Sequence, residues 1–194
     1  MRVWVIRHGE SETNKNGLWT GWLDAPLTEK GEQEAALANR IVSTANFGKI
    51  YSSDLLRAKR TAEIALPGCE YETTALLREI NVGAIAGKPL NVVLDSNHRP
   101  MNSDGYGRFG GESKDEFRDR VLAFMKILES ENCENIAVFS HAGVIRKFLD
   151  IVLGIELDRK KICCKNCAIA IFEYNNLNWS LYSWINLFEP RSLP

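Results

Sequence analysis

Two histidines far apart in the chain sit in matching surroundings, His8 in Arg7-His8-Gly9-Glu10 and His141 in Ser140-His141-Ala142-Gly143. Each follows a short apolar run, Val3 to Ile6 and Ile136 to Phe139, and each has a glycine close by. Glycine lets the backbone turn sharply or approach a ligand with no Cβ in the way. Arg7 stands beside the first histidine, and Arg57 falls in what reads as the first turn of a helix, where KIYSS runs into DLLRAKRTAEIA. Two imidazoles with two guanidiniums suit a phosphoryl group, because its charge spreads over three equatorial oxygens that arginine forks match. A neutral imidazole is also a competent nucleophile. Its attack on phosphorus would divide hydrolysis into formation and breakdown of a phosphohistidine, with no obligatory metal.

Such a set must be delivered by elements that end in one place. Val3–Ile6, Ile50–Ser52 and Ile136–Phe139 read as short buried strands, and Ala168–Tyr174 and Trp179–Trp184 as later ones. Helical patterns lie between them. Thr28 is a candidate N-cap for TEKGEQEAALANRIV, with Ala36, Leu37, Arg40 and Ile41 at helical spacing. Ser113-Lys114-Asp115-Glu116 reads as a capping box, after which Phe117, Val121, Phe124 and Leu128 form one apolar stripe. Strands alternating with helices predict an α/β layered domain with a largely parallel sheet. Open sheets of that kind bind ligands at the carboxyl ends of their strands, where Arg7-His8, Arg57 and His141 fall.

At 194 residues and 45% hydrophobic content the chain predicts one domain, 1–194. A net charge of -1, from 24 basic and 25 acidic residues, offers no global field to recruit nucleic acid or anionic lipid. The apolar run at the start is too short for a signal-peptide core, and no stretch is long enough for a membrane span, so the expected location is cytoplasmic. The crowded Cys163, Cys164 and Cys167 of ICCKNC could be a metal half-site, but a second ligand pair is missing, and reduced, largely buried thiols are expected there. Cys69 and Cys133 are isolated. The third histidine, His98, lies in a polar glycine-rich loop and is expected at the surface. The tryptophans, Trp179 and Trp184 among them, are expected to pack in the core or at the sheet edge.

RHGES, Asn14, TGWLDAPLTEKG, SSDLLRAKRTAE, LREINVGAIAG and SHAGVIR, in that order, resemble the histidine phosphatase superfamily in its phosphoglycerate mutase-like branch. The resemblance covers Val3 to about Phe148. It implies a three-layer α/β fold with a mixed, mostly parallel sheet flanked by helices. It implies His8 as the phosphorylated nucleophile, Arg7, Arg57 and His141 as the phosphate pocket, and Glu79 as the acid for the leaving group. Asn14, Thr20 and Gly21 match positions on the substrate side, as does a loop around 88–111. No cofactor and no metal are implied, and the partner is a small phosphorylated metabolite. Phosphoglycerate mutases of this branch carry an added basic segment after the glutamate motif. Between Gly83 and Gly111 this chain has only Lys88, Arg99 and Arg108. GGESKDEF is instead similar to smaller members, the α-ribazole phosphate phosphatases and broad-specificity phosphatases. The expected reaction is therefore phosphomonoester hydrolysis, with phosphoglycerate mutase as the alternative. A zinc hydrolase and a protein that only binds a phosphorylated ligand are more distant rivals.

Overall fold

Six strands form one sheet in the order β3-β2-β4-β1-β5-β6. They are β1 (Arg2–Arg7), β2 (Lys49–Ser53), β3 (Glu72–Thr74), β4 (Asn135–Ser140), β5 (Ile169–Asn175) and β6 (Asn178–Ile185). The computed structural model describes residues 1–91, 105–156 and 162–187. β3, β2, β4 and β1 run parallel, while β5 pairs antiparallel with β1 and β6 with β5. The sheet is thus mixed and mostly parallel, as expected. The β5–β6 hairpin turns at Asn176 and Leu177, both with positive φ (49° and 64°). That pair of left-handed residues is the backbone pattern of a two-residue turn suited to twisted antiparallel strands.

The helices are α1 (Glu12–Lys15), α2 (Glu29–Val42), α3 (Leu56–Ala65), α4 (Lys114–Glu129) and α5 (Ala142–Leu153). Strand periodicity divides them into layers. Val3 and Val5 of β1, with Ile136 and Val138 of β4, pack into the cluster that holds Phe117, Phe124 and Leu128 of α4 and Ile145 and Phe148 of α5. The alternate residues Ile6, Ala137 and Phe139 join Ala35, Ala38 and Val42 of α2 and Ala62 and Ala65 of α3 on the other face.

Caps set where the helices start. Thr28 accepts from the Gly31 amide, and Ser113 and Glu116 form the expected capping box. A second capping box, Ser11 with Asn14, opens α1. α2 forms where the spacing predicts a helix, with Gly31, Ala35, Ala38 and Val42 buried, Leu37 and Ile41 half-buried, and Ala36 and Arg40 exposed. Small residues let α2 and α3 approach closely, so the inward stripe is built of alanine and carries little hydrophobic signal. β3 was not expected at all. Its Glu72-Thr73-Thr74 is a largely exposed edge segment with no apolar alternation. Among the described residues no helix is long and apolar enough to cross a membrane.

Candidate active site

β1 and β4 are neighbours in parallel register, with Arg7 opposite Ser140. The residue after each strand is therefore forced beside its counterpart, and His8 and His141 stand with ring centroids 5.1 Å apart. The His8 amide donates to the Ser140 carbonyl at 2.9 Å, closing the ladder at that point. Both rings are buried. The Gly9 amide donates to Thr61 Oγ1 at 3.1 Å, and a Cβ at Gly9 would lie 2.2 Å from the Gly31 carbonyl oxygen. Only glycine permits that approach of the His8 loop to α2.

The contacts of His8 fix its tautomer. Nδ1 lies 2.6 Å from the Gly9 carbonyl oxygen, which can only accept, so Nδ1 carries the hydrogen and Nε2 the lone pair. Burial first, then the Arg57 and Arg7 charges, hold the His8 pKa well below the usual imidazole value. His8 is a neutral imidazole whose Nε2 electron pair accepts a hydrogen bond at 3.2 Å from the Nε of a guanidinium.

That guanidinium is Arg57, fully buried in the first turn of α3. Its Nη1 donates to the Leu23 carbonyl at 2.8 Å and its Nη2 to the Gly21 carbonyl at 2.9 Å. Burial lowers its pKa to about 10, opposed by Glu79 and Asp24, so it remains a cation at neutral pH. Arg60, one turn on, is exposed and pairs with Glu32 at 2.8 Å. Arg7 donates through Nη1 to the Cys164 carbonyl, while its buried Nε has no partner. His141 caps α5, with Nε2 2.9 Å from Ser53 Oγ and a buried, unpartnered Nδ1. Ser53 Oγ accepts from the Leu55 amide at 3.3 Å, and the tautomer in which it donates to Nε2 carries the hydrogen of His141 on Nδ1.

Glu79 follows the short 3₁₀ turn Ala75–Leu77 after β3. Its Oε2 accepts from the Gly143 amide at 3.0 Å and its Oε1 from the Ile80 amide at 2.8 Å. A Cβ on Gly143 would stand 1.8 Å from Glu79 Oε1, so this carboxylate seats only because α5 begins with glycine at its second position. The backbone around it is held from three sides. Arg78 forms a two-bonded pair with Asp54 at 2.8 and 2.6 Å. Trp22 Nε1 donates to the Glu79 carbonyl at 2.7 Å, and Arg120 Nη2 donates to the same carbonyl at 3.2 Å.

Beside Glu79 opens a cavity of about 130 Å³, lined by Thr20, Gly21, Gly143, Trp19, Tyr106 and Arg146 among others. Thr20 and Gly21 thus border the same space as Glu79. Asn14 is not among its lining residues. The Asn14 side chain belongs to the α1 capping box, and its Oδ1 also lies 3.4 Å from Asn166 Nδ2. In the 88–111 loop, His98 and Arg99 lie outside the described residues, while Lys88 and Arg108 are exposed and Arg108 lies over the Phe109 ring at 4.6 Å.

Sequence reasoning missed several groups. Arg146 lies one helical turn past Gly143, a spacing visible in HAGVIR. The ICCKNC segment acts through its backbone: Cys164 offers its carbonyl to Arg7, and the Cys167 amide and Asn166 Nδ2 donate to the His8 carbonyl at 3.3 and 3.2 Å. Cys164 and Cys167 are buried, whereas Cys163 and Cys69 are exposed. Among the described residues no group of three histidine, cysteine or carboxylate side chains could hold a metal ion. Trp179 and Trp184 are half-buried on β6, Trp179 against Phe148 and Tyr174, as expected for edge packing.

Comparison with known proteins bears on the family and the fold. The chain is 30% identical over 194 residues to a protein of Salmonella choleraesuis named probable phosphoglycerate mutase GpmB, covering 95% of this chain and 90% of that one. It is similar in structure to a phosphoglycerate mutase from Thermus thermophilus, with TM-score 0.73 and 29% identity over 97% of this chain and 100% of that one. An Escherichia coli protein regarded as an alpha-ribazole-5′-P phosphatase shares the fold at TM-score 0.81, with 23% identity over 96% of each chain. Residues 3–187 match the histidine phosphatase superfamily, branch 1, and the chain belongs to that family.

Proposed function

We propose that the protein is a metal-independent phosphomonoesterase of the cytoplasm, one catalytic domain spanning the chain, that acts on a small phosphorylated metabolite through a phosphohistidine on His8. The observation that carries this reading is the state of His8: neutral, hydrogen-bonded from Nδ1 to Gly9, and offering Nε2 beside Arg57. Nε2 attacks phosphorus as the ester P–O bond breaks. Arg7, Arg57 and the Nδ1 hydrogen of His141 hold the three equatorial oxygens, the Arg57 Nε–H turning from His8 Nε2 to the phosphoryl group so that the lone pair is released for attack. Glu79 passes to the leaving alkoxide a proton that the monoester monoanion brings into the site. It then takes one from the water that attacks the phosphohistidine, releasing inorganic phosphate and restoring His8. Free thiols at all five cysteines suit a reducing compartment.

The test is hydrolysis of p-nitrophenyl phosphate by wild type and His8→Ala, each in the presence of a chelator. Wild type should turn over unchanged, and His8→Ala should keep its circular dichroism and lose activity. A denaturing quench with ³²P-labelled substrate should trap protein-bound label that is acid-labile and base-stable, as a phosphoramidate is. Near-wild-type activity in His8→Ala would sink the reading. The phosphoglycerate mutase alternative is favoured by one observation, the presence of Arg146 as a cation beyond the phosphate pocket.

A further inference from the structure

The pair Arg7-His8 is held from behind by one loop, residues 162–167. The Cys164 carbonyl accepts from Arg7 Nη1, and the Cys167 amide donates to the His8 carbonyl at 3.3 Å. A backbone carbonyl points where the loop points, so the direction of the Cys164 carbonyl depends on what fixes the loop. Its second half is fixed locally. The Ala168 amide donates to the Lys165 carbonyl at 3.0 Å, closing a turn through Cys167 at φ 54°, and the Cys167 side chain is buried among the residues packed on α2 and α3. The first half, where Cys164 meets Arg7, is fixed from a distant part of the chain.

The antiparallel pairing of β5 and β6 sets Ile169 opposite Ile185, which brings the next residue, Asn186, beside the loop that leads into β5. Asn186 is half-buried there. Its Oδ1 accepts from the Lys165 amide at 3.0 Å and its Nδ2 donates to the Cys163 carbonyl at 3.1 Å. Trp184 Nε1 donates to the same carbonyl at 3.2 Å. An asparagine amide carries a donor and an acceptor side by side, so Asn186 pairs with the loop as a neighbouring strand would. In an extended segment a carbonyl and the amide two residues on share one edge, and the carbonyl between them faces the other edge. Asn186 holds the edge of Cys163 and Lys165; Arg7 stands at the edge to which the Cys164 carbonyl is thereby turned.

We propose that Asn186 is a positioning residue for phosphoryl transfer: by pairing with Cys163 and Lys165 it aims the Cys164 carbonyl, and through that carbonyl it sets the place of the Arg7 guanidinium in the phosphate pocket. Trp184 shares the task through its bond to Cys163. The proposal rests on the phosphoryl-transfer reading of the site. Its energetic logic is that of pre-organisation, in which a shift of about 1 Å in a group that holds the reacting atoms can cost on the order of 10² in rate.

The test is a double-mutant cycle on kcat/KM for p-nitrophenyl phosphate, with Asn186→Ala and Arg7→Ala made singly and together, each checked for folding by circular dichroism. Asn186→Ala should lower kcat/KM about tenfold when Arg7 is present and less than about twofold when it is not, because the group being positioned is then gone. An equal loss in both backgrounds is what a general loosening of the fold gives, and it overturns the proposal. So does a single variant within about twofold of wild type. Asn186→Asp keeps an acceptor for the Lys165 amide but sets a carboxylate oxygen against the Cys163 carbonyl, so it should lose at least as much as Asn186→Ala; wild-type activity in it also overturns the proposal. Should Asn186→Ala fail to fold, the cycle is read with Asn186→Asp. If wild type turns over no phosphomonoester, the hydrolase reading fails by itself. Orthovanadate affinity, measured by calorimetry through the same cycle, then still decides whether Asn186 acts through Arg7.

Discussion

Burying two neutral histidines next to two arginines has a cost that depends on pH. Burial is the largest cause of the low pKa of both His8 and His141, and the Arg57 and Arg7 charges add to it. Below about pH 6.5 the unfolded chain takes up protons at these positions and the folded protein does not. Stability rises with pH wherever the unfolded state binds more protons. The histidine contribution is therefore complete above about pH 6.5 and is lost as pH falls from there toward the folded pKa values. The loss is up to ~1.4 kcal/mol per pH unit for each ring. Denaturant unfolding between pH 7 and 5 should show that decline, and His141→Asn should make it shallower. Glu10 and Asp54, whose pKa values are lowered, lose their contributions only in the carboxylate range below this window. A flat profile from pH 7 to 5 would mean that the two rings bind protons in the folded state. The role of Glu79 is tested by leaving-group chemistry, because an alkoxide needs a proton far more than a nitrophenolate does. Glu79→Gln should slow alkyl phosphates by about 10² to 10⁴ and aryl phosphates much less. Equal losses on both would count against proton donation.

Helix α5 positions three of these groups at its start. His141 is its N-cap, Gly143 donates an amide to Glu79, and Arg146 lies a turn further on. Gly143→Ala should therefore reproduce Glu79→Gln without touching the carboxylate, since the new Cβ would occupy the place of Oε1. The expected signature is a selective loss on alkyl phosphates with circular dichroism unchanged; full retention of alkyl-phosphate activity would show that Glu79 can act from another position. Helix α4 supports the same turn from outside. Arg120 binds Glu112 through Nε and Nη2 at 2.7 and 2.8 Å, and donates through Nη1 to the Leu76 and Arg78 carbonyls. The pair is mostly buried, and removing one partner of such a pair strands the other. Arg120→Met should cost about 3 kcal/mol in chemical denaturation. A loss under ~1 kcal/mol would place Glu112 in water once Arg120 is gone. This support was not legible in the sequence, because GGESKDEF and the following helix reveal a cap and an apolar stripe, whereas the partners of Arg120 are mostly carbonyls distant in the chain.

At the scale of the molecule, what could be read in advance was what the strand core enforces. Five strands announce themselves as apolar runs, and the two histidines sit at the ends of two of them. Their meeting needs only that β1 and β4 be neighbours in register. β3 was hidden because an exposed edge strand needs no apolar pattern. Arg146 was hidden because one arginine on a helix is ordinarily solvated, and nothing local says that its turn faces a cavity. That omission bears on which acceptor takes the phosphoryl group. A mutase must retain phosphoglycerate while the phosphoryl group leaves one hydroxyl and returns from another, so it needs cations beyond the phosphate pocket and must keep water out. Arg146 is such a cation. Lys88 and Arg108, the described cations of the 88–111 loop, are exposed, and Arg108 lies over Phe109. One arginine offers phosphoglycerate a single charge-assisted contact, which leaves the rest of it free to depart. Incubated with 3-phosphoglycerate and a catalytic amount of 2,3-bisphosphoglycerate, the protein should release inorganic phosphate faster than it forms 2-phosphoglycerate, measured on the same samples. Arg146→Gln should slow phosphate release without raising isomerisation. If isomerisation outran phosphate release by a wide margin in wild type, water would not be the acceptor, and Arg146 would be part of a site that retains phosphoglycerate.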